Sequence, residues 1–312
     1  MPEDFELVEA DLPEPGEGRL LVRNVFMSVD PYMRGRMSDA PSYVPPYELG
    51  KVMYGGAVGE VVGGDEAGTL VVHQLGWRDY AIVDAKRVRR AAVPDGVPAS
   101  ALLGALGMPG LTAWVGVTDI APVAEGETVF VSAAAGAVGS VAGQIAKARG
   151  CRVIGSAGSP EKVAYVRDVL GFDAAFSHRD DVRAALREAA PDGIDVYFDN
   201  VGGPQLEPVI GRLNTHGRIA LCGAVSQYNA TEPAPGPRNL GLLVGKRARL
   251  RGFIITDHAD REPDFRAEVE GLIAGGRLQL AETVVDGGIE AAPGAFTAML
   301  RGEHLGKVVV RL

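Results

Sequence analysis

The sequence of 312 residues has only two cysteines, Cys151 and Cys222, and the only histidine among its first hundred residues is His73. A catalytic zinc site takes three protein ligands, commonly thiolate and imidazole, and a structural zinc site takes four. The N-terminal third of the chain therefore lacks the ligands for zinc, and we expect no metal site. The two cysteines follow or lie within strand-like runs, so we expect reduced, buried thiols of a cytoplasmic protein.

Basic residues are fewer than acidic ones. The chain has 31 Lys and Arg and 40 Asp and Glu, which gives a net charge of −9. An acidic chain of this kind is not expected to bind nucleic acid or an anionic membrane surface. The start, Met1-Pro2-Glu3-Asp4, is acidic and no apolar core follows it, so we expect no secretory leader. The uncharged stretch at 128–146 has glycine, serine and glutamine at turn and helix spacing, which predicts a buried strand and helix rather than a membrane span.

What the sequence does contain is a strand, a turn and a helix in the order that a dinucleotide site requires. The apolar run at 128–131 ends in small residues, and Gly136 and Gly139 then precede a helix predicted to extend to Arg149. A second apolar run follows at 151–154. Gly136 allows the backbone to turn, and Gly139 allows it to approach a pyrophosphate at the start of the helix. We interpret this turn as a phosphate-binding turn; the alternative is a pair of glycines that only pack a helix.

An acidic residue is missing at the position where NAD sites usually carry one, about 20 residues past the first glycine. That position lies in the sequence Gly-Ser-Ala-Gly-Ser at 155–159. Ser159 suits a helix N-cap and Pro160 the first helical position, so Lys162 falls in the first turn of the next helix. A cation there opposes the helix dipole but suits a 2′-phosphate. We therefore expect NADPH as the cofactor; a solvated surface lysine is the alternative.

Two domains are expected from the length of the chain. Before residue 104 the sequence reads as short strands and turns, whereas strands and helices alternate after it, which predicts an α/β fold with a doubly wound parallel sheet. We expect a β-rich domain at 1–105 and 283–312, and a cofactor-binding domain at 106–282. The predicted strands are 19–25, 55–62, 69–73, 80–83, 129–132, 152–154, 194–198, 218–221, 250–255 and 307–312, with a helix at 264–274 and the last strand pairing back with the first domain.

The prolines at positions 233, 235 and 237 predict a loop across 229–238, which is either a stiff connector or a cover over the substrate.

Several segments together resemble one family of oxidoreductases. They read MSVDPYMRG at 27–35, GMPGLTA at 107–113, FDNVGG at 198–203, CGAVSQYN at 222–229 and LGK at 305–307. With the glycine turn, they make the chain similar to the zinc-free medium-chain dehydrogenase/reductases, specifically the NADPH-dependent alkenal/one and prostaglandin double-bond reductases. The resemblance implies a Rossmann domain and a GroES-like catalytic domain that is split between the two ends of the chain.

The chain departs from this family at three places. His178 stands where the family commonly has tyrosine near the adenosine phosphate, and His304 where it commonly has asparagine. His178 can still stack or hydrogen-bond, and its protonated form would strengthen phosphate binding; a solvated loop histidine is the alternative. Family members also carry an extra strand-forming segment before residues 5–7, so we expect a truncated or misassigned start and an uncovered edge of the β-rich domain.

The resemblance implies a set of NADPH contacts, with residues 253–255 on a strand edge that passes the nicotinamide. The contacts are Gly136, Ala137, Val138, Gly139, Lys162, His178, Asn200, Cys222, Gly223, Ala224, Val225, Ser226, Gln227, Tyr228, Phe253, Ile254, Ile255 and His304.

The zinc alcohol dehydrogenases share this fold, but without a metal to polarise a carbonyl the sequence favours reduction of a conjugated C=C bond. We expect NADPH to deliver hydride to the β-carbon of an α,β-unsaturated ketone or aldehyde. Tyr228 is the candidate catalytic donor to the enolate oxygen or the ribose; a packed loop tyrosine is the alternative. Tyr32 and Trp77 are either walls of an apolar substrate pocket or core aromatics.

Two other functions stay open at this point, a zinc-free NADPH quinone reductase and a non-catalytic NADP(H)-binding sensor or scaffold. The apolar run at 250–255 is predicted to lie near the end of the Rossmann sheet. Relatives pair such strands across a two-fold axis, so we expect a homodimer.

Overall fold

The computed structural model describes residues 2–232 and 235–312, and these divide into two compact units. Unit 1 contains the described residues as far as Gly104 together with Glu282–Leu312. Unit 2 is Ala105–Ala281. Unit 1 is therefore discontinuous in sequence, because unit 2 is inserted between its two segments.

Strands form most of unit 1 and the centre of unit 2. In chain order they are β1 (Arg19–Ser28), β2 (Ala57–Val61), β3 (Leu70–His73), β4 (Tyr80–Asp84), β5 (Arg89–Arg90), β6 (Thr128–Val131), β7 (Arg152–Ala157), β8 (Ala174–Ser177), β9 (Ile194–Asp199), β10 (Leu213–Leu221), β11 (Arg249–Gly252), β12 (Glu282–Val285) and β13 (Lys307–Arg311).

Most of the α-helices belong to unit 2. They are α1 (Tyr32–Gly35), α2 (Met108–Val115), α3 (Gly139–Ala148), α4 (Pro160–Asp168), α5 (Val182–Ala189), α6 (Leu206–Arg212), α7 (Leu242–Lys246), α8 (Glu262–Ala274) and α9 (Ala292–Leu300), with 3₁₀ turns at Pro2–Asp4, Ala99–Leu103, Gly203–Gln205, Val225–Gln227, Ile255–Arg261 and Ile289–Ala291 and a π-helical turn at Gly116–Ile120.

Unit 1 is built on a seven-stranded sheet in the order β12-β13-β1-β2-β3-β5, with β4 also paired to β1. β13 runs antiparallel to β1, and Met27 lies opposite Val310. The prediction that the last strand pairs back with the first domain is confirmed. Met27 and Val310 also belong to the core of this unit, where they pack with Trp77 and Phe296.

Unit 2 is built on six parallel strands in the order β11-β10-β9-β6-β7-β8. The chain enters at β6, moves outward through β7 and β8, and then returns to β9 and moves outward in the other direction. This is the predicted doubly wound sheet. The strand order reverses between β6 and β9, and in such sheets ligands bind beyond the carboxyl ends of the strands at this point.

The strand predictions differ from the structure at several places, since β5 and β12 were not predicted and β10 begins at Leu213 rather than at residue 218. β8 was not predicted, because its sequence Ala-Ala-Phe-Ser has little intrinsic strand propensity and it becomes a strand by pairing with β7. The strand predicted at 250–255 ends at Gly252, the last residue that pairs with β10. The prediction was wrong for Phe253, Ile254 and Ile255, because the apolar run continues beyond the paired residues.

The uncharged stretch at 128–146 forms β6 and most of α3, as predicted. Gln144 lies on the buried side of α3, and its side-chain amide exchanges two hydrogen bonds with the backbone of Gln279, at 2.7 Å and 3.1 Å. Those bonds explain a buried glutamine in an otherwise apolar helix. Among the helices described, none combines the length and the apolar character that crossing a membrane requires.

The predicted loop at 229–238 includes Pro233 and Ala234, which lie outside the described residues. The rest of this segment belongs to neither a helix nor a strand.

Candidate active site

The turn between β6 and α3 closes too tightly to admit a side chain at position 139. A Cβ on Gly139 would lie 2.4 Å from the carbonyl oxygen of Ala133, and a Cβ on Gly136 would lie 3.1 Å from it. Ala133 has φ of 48°, in the left-handed region that L-residues seldom adopt. The backbone here therefore folds back on itself, and residues 136–138 remain partly exposed at the start of the helix. That is the form of backbone to which a pyrophosphate binds.

Ser132 connects this turn to the end of β9. Its hydroxyl donates to Asp199 Oδ1 at 3.1 Å and accepts from the backbone N–H of Asn200 at 3.0 Å. The side-chain amide of Asn200 donates to the carbonyl oxygen of Ser132 at 2.7 Å. Two hydrogen bonds thus hold Asn200, a predicted cofactor contact, against the residue that precedes the glycine turn, at the point where the strand order reverses.

Asp199 is a fully buried carboxylate that organises the chain after β9. Its Oδ1 accepts from the Tyr197 hydroxyl at 2.6 Å and from the N–H groups of Val201 and Gly202 at 2.9 Å and 2.8 Å. Burial and the neighbouring Asp199 charge raise the pKa of Tyr197 well above its usual value, so this hydroxyl stays a donor. Each such bond to a charged group is worth about 1.5–3 kcal/mol.

The same segment holds the loop after β10. The N–H groups of Cys222 and Gly223 donate to the carbonyl oxygen of Asp199 at 2.9 Å and 3.1 Å. The Ser226 hydroxyl donates to the carbonyl oxygen of Val201 at 2.7 Å. The structure therefore brings the predicted contacts at 222–226 next to Asn200 on one hydrogen-bonded scaffold.

Tyr228 folds back over this loop. Its hydroxyl lies 3.4 Å from the position that a Cβ on Gly223 would occupy, and the side chain is half-buried. Cys222 is also half-buried, whereas Cys151 is buried as expected, and both are free thiols. Burial and the Asp199 charge raise the pKa of the Cys222 thiol to about 12, so it remains protonated at neutral pH.

The predicted start of α4 agrees with the structure. Ser159 is the N-cap, and its hydroxyl accepts from the backbone N–H of Lys162 at 3.3 Å. Lys162 is half-buried in the first turn, and burial lowers the pKa of its ammonium group. His178 follows β8, and its ring reaches the end of β7, where Cε1 lies 3.2 Å from the position of a Cβ on Gly158. Lys162 and His178 therefore lie together at the ends of β7 and β8.

Residues 253–255 follow the carboxyl end of β11, and all three side chains are half-buried. Phe253 packs edge-on against His258, with ring centroids 6.4 Å apart. Because the strands are parallel, this segment lies at the same edge of the sheet as the turn, Asn200 and the 222–228 loop.

Three predicted site residues belong to unit 1. Tyr32 begins α1, and burial together with the charge of Asp30 raises the pKa of its hydroxyl. Trp77 is a core residue, 7% exposed, whose ring stacks on Phe5 at 5.6 Å. His304 is half-buried in the segment before β13. The roles of Tyr32 and Trp77 at a substrate and of His304 at the cofactor stay predictions.

No group of three or more His, Cys, Asp or Glu side chains is placed to hold a metal ion within residues 2–232 and 235–312. The single histidine of the N-terminal hundred residues, His73, is buried, and its Nδ1 accepts from the N–H of Leu75 at 3.1 Å. Burial and the nearby Arg78 charge lower the pKa of His73 to about 4, so the ring is neutral.

Sequence reasoning missed Ser132 and Asp199 as site residues. Both are fully buried and contact the predicted turn and loops rather than forming part of them. A local signal was available for Asp199, since a charged residue directly follows the apolar and aromatic residues Val196–Phe198 and must have partners there.

These residues fit a dinucleotide that carries a 2′-phosphate. Gly139 leaves room for a close approach to the backbone, which a methyl group at this position would fill. The position after β7 that commonly carries an acid for the ribose 2′-hydroxyl carries no acidic residue in this chain. Lys162 instead places a cation beside that position.

Comparisons with known proteins match the chain over its whole length. A family model described as the N-terminal domain of oxidoreductase matches residues 1–91, and one described as zinc-binding dehydrogenase matches residues 137–273. The chain is 46% identical to the NADPH-dependent curcumin reductase of Escherichia coli (strain K12), and the match covers 100% of this chain and 93% of that protein. It is 43% identical to prostaglandin reductase 1 of Rattus norvegicus, over 99% of this chain and 94% of the relative.

Among solved structures, CurA from Vibrio vulnificus in complex with NADPH superposes with a TM-score of 0.94. It is 43% identical to this chain, and the match covers 100% of this chain and 95% of that one.

Proposed function

The chain belongs to the zinc-free medium-chain dehydrogenase/reductases of the alkenal/enone reductase type, and on that premise we propose that it reduces the C=C bond of α,β-unsaturated ketones and aldehydes with NADPH. One observation carries the proposal most directly. Ser132 and Asp199 join the glycine turn and the loop that bears Tyr228 into one buried hydrogen-bonded scaffold. A cofactor site and a candidate proton donor are thereby held at the same edge of the sheet.

The cofactor is NADPH. We assign its pyrophosphate to the backbone of residues 136–139 and its 2′-phosphate to Lys162 and His178. Support comes from the close approach at Gly139, from the half-buried position of Lys162 and from the missing acid after β7. Asn200 and residues 222–228 would line the same edge toward the nicotinamide end.

When bound, NADPH supplies the hydride that adds to the β-carbon of the enone. The protein has to hold the alkene in place and stabilise the negative charge that develops on the carbonyl oxygen. We assign the donor role to the Tyr228 hydroxyl, acting on that oxygen directly or through the ribose. Its support is the anchorage of its loop, because Cys222 and Gly223 are held by the Asp199 carbonyl and a fixed donor loses little freedom in the transition state.

The remaining site assignments are proposals of the same kind. We assign Phe253, Ile254, Ile255 and His304 to the nicotinamide end, and Tyr32 and Trp77 to the substrate. Residues 1–105 and 283–312 would then form the catalytic domain and residues 106–282 the cofactor-binding domain.

We also propose a cytoplasmic homodimer. β11 is an edge strand of the unit 2 sheet, where Leu250 is 36% exposed, and Val244 on α7 is 80% exposed. An edge strand beside exposed apolar side chains is a surface that a second copy would cover. The two free thiols agree with a reducing compartment. Light scattering at micromolar concentration tests the dimer, and a monodisperse monomer would contradict it.

The activity is tested by following NADPH oxidation over a matched panel of enones, enals and quinones. We expect turnover with enones and enals. Turnover confined to quinones would favour the quinone reductase, and tight NADPH binding without turnover on any member would favour a sensor or scaffold.

A further inference from the structure

Three basic residues, Lys162, His178 and Arg179, lie where α4 begins and β8 ends. His178 leaves the sheet directly after β8, and its backbone N–H donates to the carbonyl oxygen of Ala157 at the end of β7, at 3.0 Å. This bond and the close approach to Gly158 fix the ring beside α4. Lys162 in the first turn of α4 and Arg179 next along the chain are the charged groups that act on the ring.

The surroundings of His178 oppose a positive charge in the free protein. Burial, then the charge of Arg179 and that of Lys162, lower its pKa, while a hydrogen bond to the Ala157 carbonyl acts in the opposite direction. Ala157 at the end of β7 and Gly158 directly after it, which contact His178, carry no charge. These surroundings therefore favour the neutral imidazole in the free protein, although the ring lies near the positive charges of Arg179 and Lys162, with which an anionic ligand would pair.

We propose that His178 takes up a proton when the 2′-phosphate of NADPH binds beside Lys162, so that the contribution of His178 to the affinity for NADPH, but not for NADH, increases as the pH falls. This inference rests on the proposed function, since it assumes that the 2′-phosphate occupies this place. It makes His178 a group that couples cofactor choice to pH, a role that suits histidine because its ordinary pKa, unlike that of lysine, lies near neutral pH.

The direction follows from linkage. A phosphate close to the ring favours the imidazolium, so the pKa of His178 is higher in the complex than in the free protein. The gain in affinity is fully present below the lower, free-protein pKa and is lost as the pH rises through the pKa of the complex. A nearby opposite charge changes a pKa by about one to three pH units. An increase of one pH unit in the pKa of His178 makes NADPH bind about tenfold more tightly at the low-pH limit.

The 2′-phosphate itself titrates near pH 6, and protonation of the free nucleotide acts against binding. The contribution of His178 is therefore the difference between the wild-type protein and a variant that cannot titrate. His178→Gln retains a hydrogen-bonding side chain, and His178→Phe retains a flat ring against Gly158. Both lack the charge, and the phosphate contributes equally to all three proteins.

Calorimetric titration with NADPH and with NADH, in several buffers of different ionisation enthalpy between pH 5.5 and about 8, gives both Kd and the number of protons taken up. We expect wild-type protein to take up more protons with NADPH than either variant does, and no such difference with NADH. The histidine Cε1–H signals in NMR give a second readout, in which the pKa of His178 rises when NADP⁺ is added.

Equal proton uptake by the wild-type protein and both variants, or an unchanged His178 pKa on addition of NADP⁺, would overturn the inference while leaving NADPH as the cofactor. Equal affinity for NADPH and NADH at every pH would overturn the phosphate site itself, and the inference with it.

Discussion

Gly139→Ala tests the close approach on which the cofactor site depends. The new Cβ would lie 2.4 Å from the carbonyl oxygen of Ala133, where ordinary contacts begin at 3.4 Å, so that oxygen has to retreat by about 1 Å. Opening the turn in this way lowers the free energy of unfolding by about 1–3 kcal/mol. Alanine is a better helix former than glycine, which offsets about 1 kcal/mol of that decrease. We therefore expect a net loss of at most about 2 kcal/mol and a decrease in Tm of a few degrees.

The effect on the cofactor should be larger than the effect on stability. The methyl group stands where the backbone has to approach the pyrophosphate, and the displaced turn misaligns the N–H groups at the start of α3. We expect NADPH to bind at least about tenfold more weakly, which corresponds to about 1.4 kcal/mol.

Gly136→Ala is the matched control, since its Cβ would lie 3.1 Å from the same oxygen and a small adjustment accommodates it. Thermal unfolding and NADPH fluorescence titration on the three proteins supply the comparison. Wild-type affinity in Gly139→Ala, or equal damage in both variants, would refute the argument from close approach.

Three other predictions concern the cofactor phosphate, the donor and the metal. Lys162→Ala should weaken NADPH binding by about 1.5–3 kcal/mol, with little change in the affinity for NADH. Arg167→Ala, on the exposed last turn of the same helix, is the control and should change the affinity for neither nucleotide. Equal use of NADH and NADPH by the wild-type protein would contradict the assignment of the 2′-phosphate to Lys162. Tyr228→Phe should lower kcat on the order of a hundredfold with a modest change in the Kd for NADPH, and full activity would remove Tyr228 from the reaction. Chelators should leave activity intact and elemental analysis should find no stoichiometric zinc; a zinc required for turnover would place the chain outside the zinc-free branch.

The parts of the fold that depend on neighbouring residues could be predicted from the sequence. The strand, turn and helix around Gly139 combine an apolar run, two glycines and an uncharged segment with helix spacing, all within about one βα unit. The start of α4 likewise depends on Ser159 and Pro160, and the observed cap uses the hydroxyl of Ser159. Local chemistry decides both cases.

Features that depend on the sheet could not be predicted in this way. Ser132 and Asp199 are 67 positions apart and meet only because β6 and β9 are neighbours in the sheet. β8 is a strand because β7 lies beside it, and β11 ends at Gly252 because β10 ends at Leu221. In each case the deciding partner is far away in the sequence.

The surroundings of Trp77 could not be predicted from the sequence. The sequence does not show which side chains surround this tryptophan, whereas the structure packs its ring against Phe5 and Phe296. The backbone φ of Trp77 is 60°, and nothing in the sequence predicts this conformation.

The central claim is tested most directly by the product formed from a simple enone and NADPH labelled with deuterium at the transferred position. Conjugate hydride delivery predicts the saturated ketone, with the carbonyl retained and the deuterium on the β-carbon. Product analysis by NMR and mass spectrometry reads both features in one experiment. An allylic alcohol with deuterium on the carbonyl carbon would contradict the account, because the carbonyl rather than the conjugated double bond would then be the group reduced.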